Sequence, residues 1–232
     1  MANIIFVLGA GRSGTHMVGE YLSYHKDITG YIEAPQFFDL SKKISIYQQT
    51  NLISALVKKY QIELKYIKTK YMLDKSHSNI WFIEELKKEF PDSLLITVER
   101  NPFGMINSMM HHPGVLNWYK ILDLKKINPF LGINTDNILK FSHYSLVEMC
   151  AHKWIAHHNR IIELEKKYKI IKINYDIFVE NPHFYFNDFN EHLDISNITN
   201  FPITNTKRSK WKTELSHINI KKIQNIIHHC VY

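Results

Sequence analysis

The chain has little cysteine and lacks any long apolar run. Of its 232 residues only Cys150 and Cys230 are cysteines, which excludes a disulfide framework and paired Cys-x-x-Cys metal sites. The apolar run near the N-terminus covers residues 4–8. It is far shorter than the roughly 18 residues that span a bilayer, and it has neither the basic start nor the cleavage pattern of a signal peptide. We therefore expect a cytoplasmic protein in a reducing compartment, with no membrane partner.

Charge is not concentrated in any one part of the chain. The formal net charge is +7, but Lys and Arg are spread along the sequence, without the basic face and interleaved aromatic residues of a nucleic-acid interface. A basic pocket for a small phosphorylated ligand is expected instead of nucleic acid. Hydrophobic residues make up 45% of the chain, which is typical of a packed protein, and the length predicts one domain over residues 1–232.

The fourteen histidines do not form a metal-binding pattern. Adjacent pairs occur at 111–112, 157–158 and 228–229, but neighbouring residues on a helix point in different directions, and helical metal sites favour residues four apart. We expect no metal ion.

Short apolar runs alternate with segments of helical periodicity, which predicts an α/β fold with one parallel sheet flanked by helices. The predicted strands are Ile4–Leu8, Gly30–Ile32, Tyr66–Ile67, Leu94–Val98 and Ile170–Ile173. The predicted helices are Thr15–Tyr24, Tyr47–Tyr60, Ile80–Phe90 and Leu146–Tyr168. Weak periodicity over Trp118–Ser142 indicates a loop or lid, within residues 113–145.

Ligands of such sheets bind beyond the carboxyl ends of the strands. The candidate positions there are residues 9–16, Glu33, residues 68–70, Arg100 and Tyr175.

The first of these positions, in the stretch IIFVLGAGRSGTH, fits two nucleotide-binding patterns imperfectly. Gly9-x-Gly11-x-x-Gly14 matches a dinucleotide fingerprint, and Glu33 stands where an acidic residue would bind a ribose, which favours an oxidoreductase with NAD or FAD. Gly9 and Gly14 also have the spacing of a P-loop kinase, but Thr15 replaces its lysine. Both patterns bring backbone N–H groups to an anion at a helix N-terminus, so phosphate binding is expected either way.

A second phosphate-binding pattern follows the fourth predicted strand. The strand ends on Arg100, Pro102 is placed to begin a helix, and Ser108 lies two turns further along. The guanidinium fork of Arg100 and the hydroxyl of Ser108 could both bind one phosphate monoester.

With both segments, the chain resembles the sulfotransferases that use 3′-phosphoadenosine 5′-phosphosulfate (PAPS). Their Arg/Lys-Ser-Gly-Thr-Thr loop, which grips the 5′-phosphosulfate in a P-loop-like strand-loop-helix, is matched by residues 12–16. Their Arg-x-Pro-x5-Ser segment, which grips the 3′-phosphate, is matched by Arg100, Pro102 and Ser108. The resemblance implies PAPS as sulfuryl donor, the bisphosphate PAP as product, no metal and a small-molecule acceptor. Whether the chain forms a homodimer stays open.

The resemblance also implies a set of donor-binding residues. The stretch Asn174–Ile177 resembles the family's Tyr-Glu-Asp-Leu segment, and residues 207–212 resemble its basic loop with a tryptophan. The implied donor-binding residues are Gly11, Arg12, Ser13, Gly14, Thr15, His16, Arg100, Ser108, Tyr175, Lys207, Arg208 and Lys210. Two of them differ from many members of the family, since His16 replaces the usual second threonine and Arg12 stands where many cytosolic members have lysine.

The base that accepts the acceptor's proton is assigned to Glu33. Residues 30–39 resemble the Lys-Glu-x-x-Phe-Phe segment of heparan-type sulfotransferases, in which that Glu is the base. The alternative for Glu33 is a simple ion pair with Arg12. Residues 67–70 resemble the Lys-Thr-His segment of cytosolic members, so Lys68 and Arg12 would stabilise charge on the departing phosphate. Lys70 takes the position of that histidine and is a poor base when protonated. Lys70, the histidines and the choice between hydroxyl and amine acceptors stay open.

Overall fold

One five-stranded parallel sheet organises the chain. The structure is a computed structural model that describes residues 2–195, 198, 201 and 210–231. The strand order is β2-β3-β1-β4-β5. The strands are β1 (Asn3–Gly9), β2 (Ile28–Ile32), β3 (Tyr71–Lys75), β4 (Leu94–Glu99) and β5 (Ile170–Asn174). This confirms the predicted α/β fold class.

Helices connect the strands and cover both faces of the sheet. Within the described residues they are α1 (Thr15–Ser23), α2 (Pro35–Ser45), α3 (Ile53–Leu64), α4 (Ile83–Glu89), α5 (Pro102–Met110), α6 (Pro113–Ile121), α7 (Ile138–Phe141), α8 (Leu146–Glu165), α9 (Tyr175–Glu180), α10 (Phe186–Leu193), α11 (Trp211–Glu214) and α12 (His217–Val231). No helix in these ranges is long and apolar enough to cross a membrane.

The central strand is apolar without interruption because both of its faces are buried. Ile5 and Val7 pack on one side of the sheet, in the cluster that includes Val18 and Leu22 of α1. Ile4, Phe6 and Leu8 point to the other side, into the cluster formed with α3, α4 and α8. Alternate side chains of a strand point to opposite faces, so this one strand anchors two hydrophobic layers.

The third strand lies later in the chain than the sequence indicated. Tyr66–Ile67 was the predicted strand, but these residues follow the end of α3, and β3 runs over Tyr71–Lys75. The prediction was wrong because only the first part of β3 is apolar. Its last two residues, Asp74 and Lys75, are charged yet buried, which the apolar pattern cannot show.

The segment predicted as a loop or lid is partly helical and packed. It contains α6 and α7, and between them Phe130, Leu131 and Ile133 are buried. Gly132 has a φ of 83°, and a Cβ built there would lie 2.4 Å from the backbone of His152 in α8. Between and around these short helices the backbone is turns and irregular structure, as the loop prediction expects, and the role of this segment as a lid stays a prediction.

Candidate functional site

The sheet order places three strand ends around one crevice. β1 lies between β3 and β4, so the residues after β3 and after β4 flank the loop that follows β1. In open parallel sheets the carboxyl ends at such a point, where the chain changes direction across the sheet, form the ligand crevice.

The loop after β1 makes a tight turn that only certain residues permit. Arg12 and Gly14 have positive φ angles, 79° and 103°. For arginine this left-handed conformation is strained, and such strain concentrates at functional sites. At Gly14 a Cβ would lie 1.9 Å from Cδ2 of Tyr175, so the tyrosine ring rests directly on the loop. Thr15 then begins α1, whose N-terminus faces the crevice.

Two arginines meet at this loop. Arg12 Nε donates a hydrogen bond to Ser108 Oγ at 3.2 Å, and Arg100 Nη1 donates to the backbone O of Arg12 at 3.3 Å. The Arg100 guanidinium also lies 4.9 Å from the centre of the Tyr175 ring. Partial burial and the nearby charge of Arg100 lower the pKa of Arg12. Within the described part of the chain, neither arginine has a carboxylate within ion-pair distance.

Helix α5 brings Ser108 to this pair. It begins at Pro102, as predicted, and Asn101 Oδ1 accepts hydrogen bonds from the N–H groups of Phe103 and Gly104 at 3.1 and 3.4 Å. An Asn cap with proline at the first position is a strong helix start. The cap fixes where the helix starts and thus the distance from Arg100 to Ser108.

Two donors at the loop have no partner in the described residues. Ser13 Oγ and Arg100 Nε are buried and make no hydrogen bond. Buried donors without a partner cost free energy, about 1–3 kcal/mol each. Together with two unneutralised guanidinium groups, they fit an anionic group such as a phosphate or a sulfate ester.

The other side of the crevice holds a carboxylate with two partners. Glu33, directly after β2, has a φ of 50°, a second strained position. Lys75 Nζ forms an ion pair with Glu33 Oε1, and His77 Nδ1 lies 3.1 Å from the same oxygen. The Glu33 side chain is 31% exposed, whereas those of Lys75 and His77 are buried.

The charges of this cluster follow from burial and pairing. Burial lowers the pKa of His77 to about 4, although the hydrogen bond to Glu33 acts to raise it. Burial acts to raise the pKa of Glu33, but the hydrogen bond from His77 and the charge of Lys75 hold it well below its ordinary value. At neutral pH the imidazole is therefore neutral and the carboxylate ionised.

The tautomer of His77 follows from these charges. Nδ1–H donates to the Glu33 carboxylate, so Nε2 carries the lone pair. That Nε2 is buried without a hydrogen-bond partner in the described residues. A Cβ built at Gly11 would lie 3.3 Å from it, so this nitrogen faces the β1 loop.

Comparison with known proteins identifies the family to which this chain belongs. The family model described as "Sulfotransferase family" matches residues 4–198. The chain belongs to the sulfotransferase family. No curated protein sequence matches it.

Solved sulfotransferase structures share the fold. The sulfotransferase domain from the curacin biosynthetic pathway has a TM-score of 0.63 at 14% identity, covering 100% of this chain and 98% of that chain. The sulfotransferase domain from the Synechococcus PCC 7002 olefin synthase has a TM-score of 0.61 at 12% identity, with coverages of 97% and 95%. Mouse sulfotransferase SULT7A1, solved in complex with PAP, has a TM-score of 0.56 at 14% identity, with coverages of 98% and 84%.

The structure brings together most of the sequence-predicted residues of this sulfotransferase. Gly11, Arg12, Ser13, Gly14 and Thr15 form the β1 loop and the start of α1, and Arg100, Ser108 and Tyr175 contact that loop. His16 lies further out, where it is exposed and pairs with Glu20 at 3.1 Å.

The C-terminal basic residues are only partly described. Lys207 and Arg208 lie outside the described residues. Lys210 is exposed at the start of α11. The next residue, Trp211, stacks on Phe103 of α5 with ring centres 4.9 Å apart. This contact brings the end of the basic segment to the helix that carries Ser108.

Lys68 does not belong to the crevice. The backbone O of Lys70 accepts a hydrogen bond from the N–H of Asn3, at the amino end of β1, and Lys68 precedes it, exposed. β1 has seven residues, so about 20 Å of strand separates this edge from the loop. The assignment of a catalytic role to Lys68 was wrong because it rested on the misplaced third strand.

Lys75 and His77 are the residues that sequence reasoning missed. A signal for them exists, since Lys75-Ser76-His77 has the Lys-Thr-His pattern with serine in place of threonine. The motif lies at the end of β3, separated from the apolar residues that begin the strand only by Asp74.

None of the described His, Cys, Asp and Glu residues forms a group of three or more that could hold a metal.

Proposed function

We propose that this sulfotransferase transfers the sulfuryl group of PAPS to a hydroxyl or amine of a small-molecule acceptor. The observation that carries the proposal is the pair Arg12 and Arg100, which meet beside Ser108 at the β1 loop without a carboxylate partner in the described residues. Two neighbouring cations repel each other, and an anion that lies between them or beside them offsets this repulsion.

The donor-binding roles divide between the two sides of the β1 loop. We assign the 5′ end of the donor to the backbone N–H groups of residues 11–16 with Ser13 and Arg12, because a helix N-terminus and a glycine-rich turn bind anions. We assign the 3′-phosphate to Arg100 and Ser108, with Lys207, Arg208 and Lys210 as further contacts. When bound, PAPS supplies the sulfuryl group and leaves as PAP.

The acceptor side is assigned to Glu33 together with His77 and Lys75. Glu33 is already engaged by Lys75 and by His77 Nδ1–H, so its role is to orient the imidazole. Neutral His77, with Nδ1–H held by Glu33, offers Nε2 as the proton acceptor for the acceptor's hydroxyl or amine. Lys75 keeps Glu33 ionised, and Arg12 stabilises charge on the oxygen that leaves. Sulfuryl transfer is close to phosphoryl transfer, so positioning and charge stabilisation carry most of the catalysis.

A transfer assay tests the reaction itself. Protein incubated with sulfur-labelled PAPS and a panel of simple alcohols, phenols, amines and hydroxy acids is expected to give labelled acceptor and PAP. In a parallel thermal-shift assay, adenosine 3′,5′-bisphosphate should raise the melting temperature, whereas NAD and ATP should not. Stabilisation by NAD would favour an oxidoreductase, stabilisation by ATP alone would favour a kinase, and either result would contradict the proposal.

A further inference from the structure

The carboxylate of Asp74 is buried in β3, one residue before Lys75. Its Oδ2 accepts hydrogen bonds from Tyr60 Oη and from Asn79 Nδ2, both at 2.8 Å. Its Oδ1 accepts one from Ser76 Oγ at 2.9 Å. Among the described residues no basic side chain forms an ion pair with it, since Lys75 pairs with Glu33 instead.

The hydrogen bonds extend from Asp74 through the turn that follows β3. Asn79 Nδ2 also donates to Tyr60 Oη at 3.0 Å, and Asn79 Oδ1 accepts from Ser41 Oγ at 2.6 Å. Ser41 and Ser78 share a hydrogen bond of 2.6 Å between their hydroxyls. One network therefore ties α2 and α3 to Ser76, Ser78 and Asn79 of the turn, and Asp74 carries its charge.

The two residues between these anchors point the other way. Lys75 and His77 alternate with Ser76 and Ser78 along the chain, and their side chains reach Glu33. We propose that Asp74 is a positioning residue, whose buried carboxylate fixes the turn after β3 so that Lys75 and His77 meet Glu33 and His77 Nε2 faces the β1 loop. The catalytic part of this inference rests on the proposed function, whereas the geometric part does not.

The energetic cost of the network supports a positioning role. A buried carboxylate without a cation is expensive, and burial raises the pKa of Asp74 to about 6 against the lowering effect of Tyr60, Ser76, Asn79 and the charge of Lys75. Apolar residues would stabilise such a position at least as well. A polar network in which each donor is satisfied has one low-energy arrangement, which specifies the geometry of the turn.

Nitrogen NMR of His77 tests the geometric part without any assay of activity. In the wild type, His77 should show the single tautomer with Nδ1 protonated. In Asp74→Asn the amide cannot accept from all three donors, so we expect a mixture of tautomers. Ser76→Ala, which removes one donor and leaves the carboxylate in place, should show a smaller shift in the same direction and covers the case in which Asp74→Asn does not fold. An unchanged His77 spectrum in the folded variants would overturn the proposal.

Kinetics test the consequence for transfer. Asp74→Asn should lower the transfer rate by about tenfold or more, with the dissociation constant for adenosine 3′,5′-bisphosphate changed less than about twofold. The matched control is Leu56→Ala, a change at another fully buried residue, on α3. It should lower the melting temperature but leave the transfer rate unchanged when the assay is run well below that temperature. Equal rates in both variants would overturn the positioning role. A wild type that binds no bisphosphate would instead contradict the proposed function and leave the NMR result standing.

Discussion

At the scale of the residue, hydrogen bonds, ion pairs and burial set the protonation states of the side chains in the candidate site. Glu33 is held ionised by Lys75 and His77, while burial keeps His77 neutral. The sequence indicated Glu33 from its position after the second strand, but not its partners. His77 was one of fourteen histidines, and no apolar period marks which of them lies at a strand end.

Glu33→Gln tests the charge of this cluster. The amide keeps the size of the side chain but lacks the negative charge that holds His77 in one tautomer, so transfer should fall by about tenfold or more. Binding of adenosine 3′,5′-bisphosphate, measured by calorimetry, should stay within about twofold because Glu33 lies on the acceptor side. Glu85→Gln, an exposed change on α4, is the control. Full activity of Glu33→Gln would show that the charge of Glu33 is not needed to orient His77 for transfer.

The lowered pKa of His77 predicts a pH dependence of stability. Its ordinary pKa is 6.5 and its folded value is about 4, so the unfolded chain binds this proton more tightly. The free energy of unfolding should therefore fall as the pH drops from 6.5 to 4, by up to about 3 kcal/mol. The lowered pKa of Glu33 acts in the same direction, and the raised pKa of Asp74 opposes it.

Urea unfolding at several pH values checks this assignment. Wild type should lose more stability on acidification than His77→Gln, whose side chain does not titrate. Parallel pH profiles for the two proteins would show that His77 is not buried in its neutral form.

At the scale of the element, some contacts and strands are set by backbone packing and burial that leave no recognisable pattern in the sequence. Gly132 presses on α8 with a positive φ, and nothing in the irregular spacing around it reveals this contact. The same holds for β3, where buried Asp74 and Lys75 hide a strand from an apolar pattern. By contrast, α5 was predictable because Asn101 and Pro102 encode its start locally.

Gly132→Ala tests the packing of the segment predicted as a lid. The added Cβ would lie 2.4 Å from the backbone of His152, and residue 132 has a left-handed conformation that alanine disfavours. The melting temperature should therefore fall, and the free energy of unfolding should drop by about 1–3 kcal/mol or more. Gly114→Ala in α6, whose φ is not positive, is the control and should change stability by less than about 1 kcal/mol. A wild-type melting temperature for Gly132→Ala would favour a segment that is not held against α8.

Gly14 is the corresponding position in the β1 loop, which we propose binds the donor. Gly14→Ala should weaken bisphosphate binding, because Cβ would clash with the Tyr175 ring and the φ of 103° would be strained. Adding Tyr175→Ala removes the clash but not the strain, so calorimetry of the double variant should show at most partial recovery. Wild-type affinity in Gly14→Ala would contradict the described loop.

At the scale of the whole molecule, topology explains why distant residues meet. Arg12 and Arg100 are neighbours because β1 and β4 are adjacent in the sheet, and the acceptor side lies at the same edge because β2 and β3 are parallel to them. Alternation of apolar runs and helical segments was enough to predict the parallel sheet. It could not predict the strand order, nor where β3 begins, because Asp74 and Lys75 are charged and buried. The misplaced third strand put Lys68 at the wrong edge of the sheet.

We propose that the paired arginines form the binding site for the donor's phosphates. Calorimetric titration with adenosine 3′,5′-bisphosphate tests this proposal. We expect the wild type to bind it, and Arg100→Ala to bind it about tenfold or more weakly because a charged hydrogen bond is worth about 1.5–3 kcal/mol. Lys59→Ala, an exposed change on α3, should keep the wild-type affinity. Absence of binding to the wild type, or equal affinity in Arg100→Ala, would contradict it.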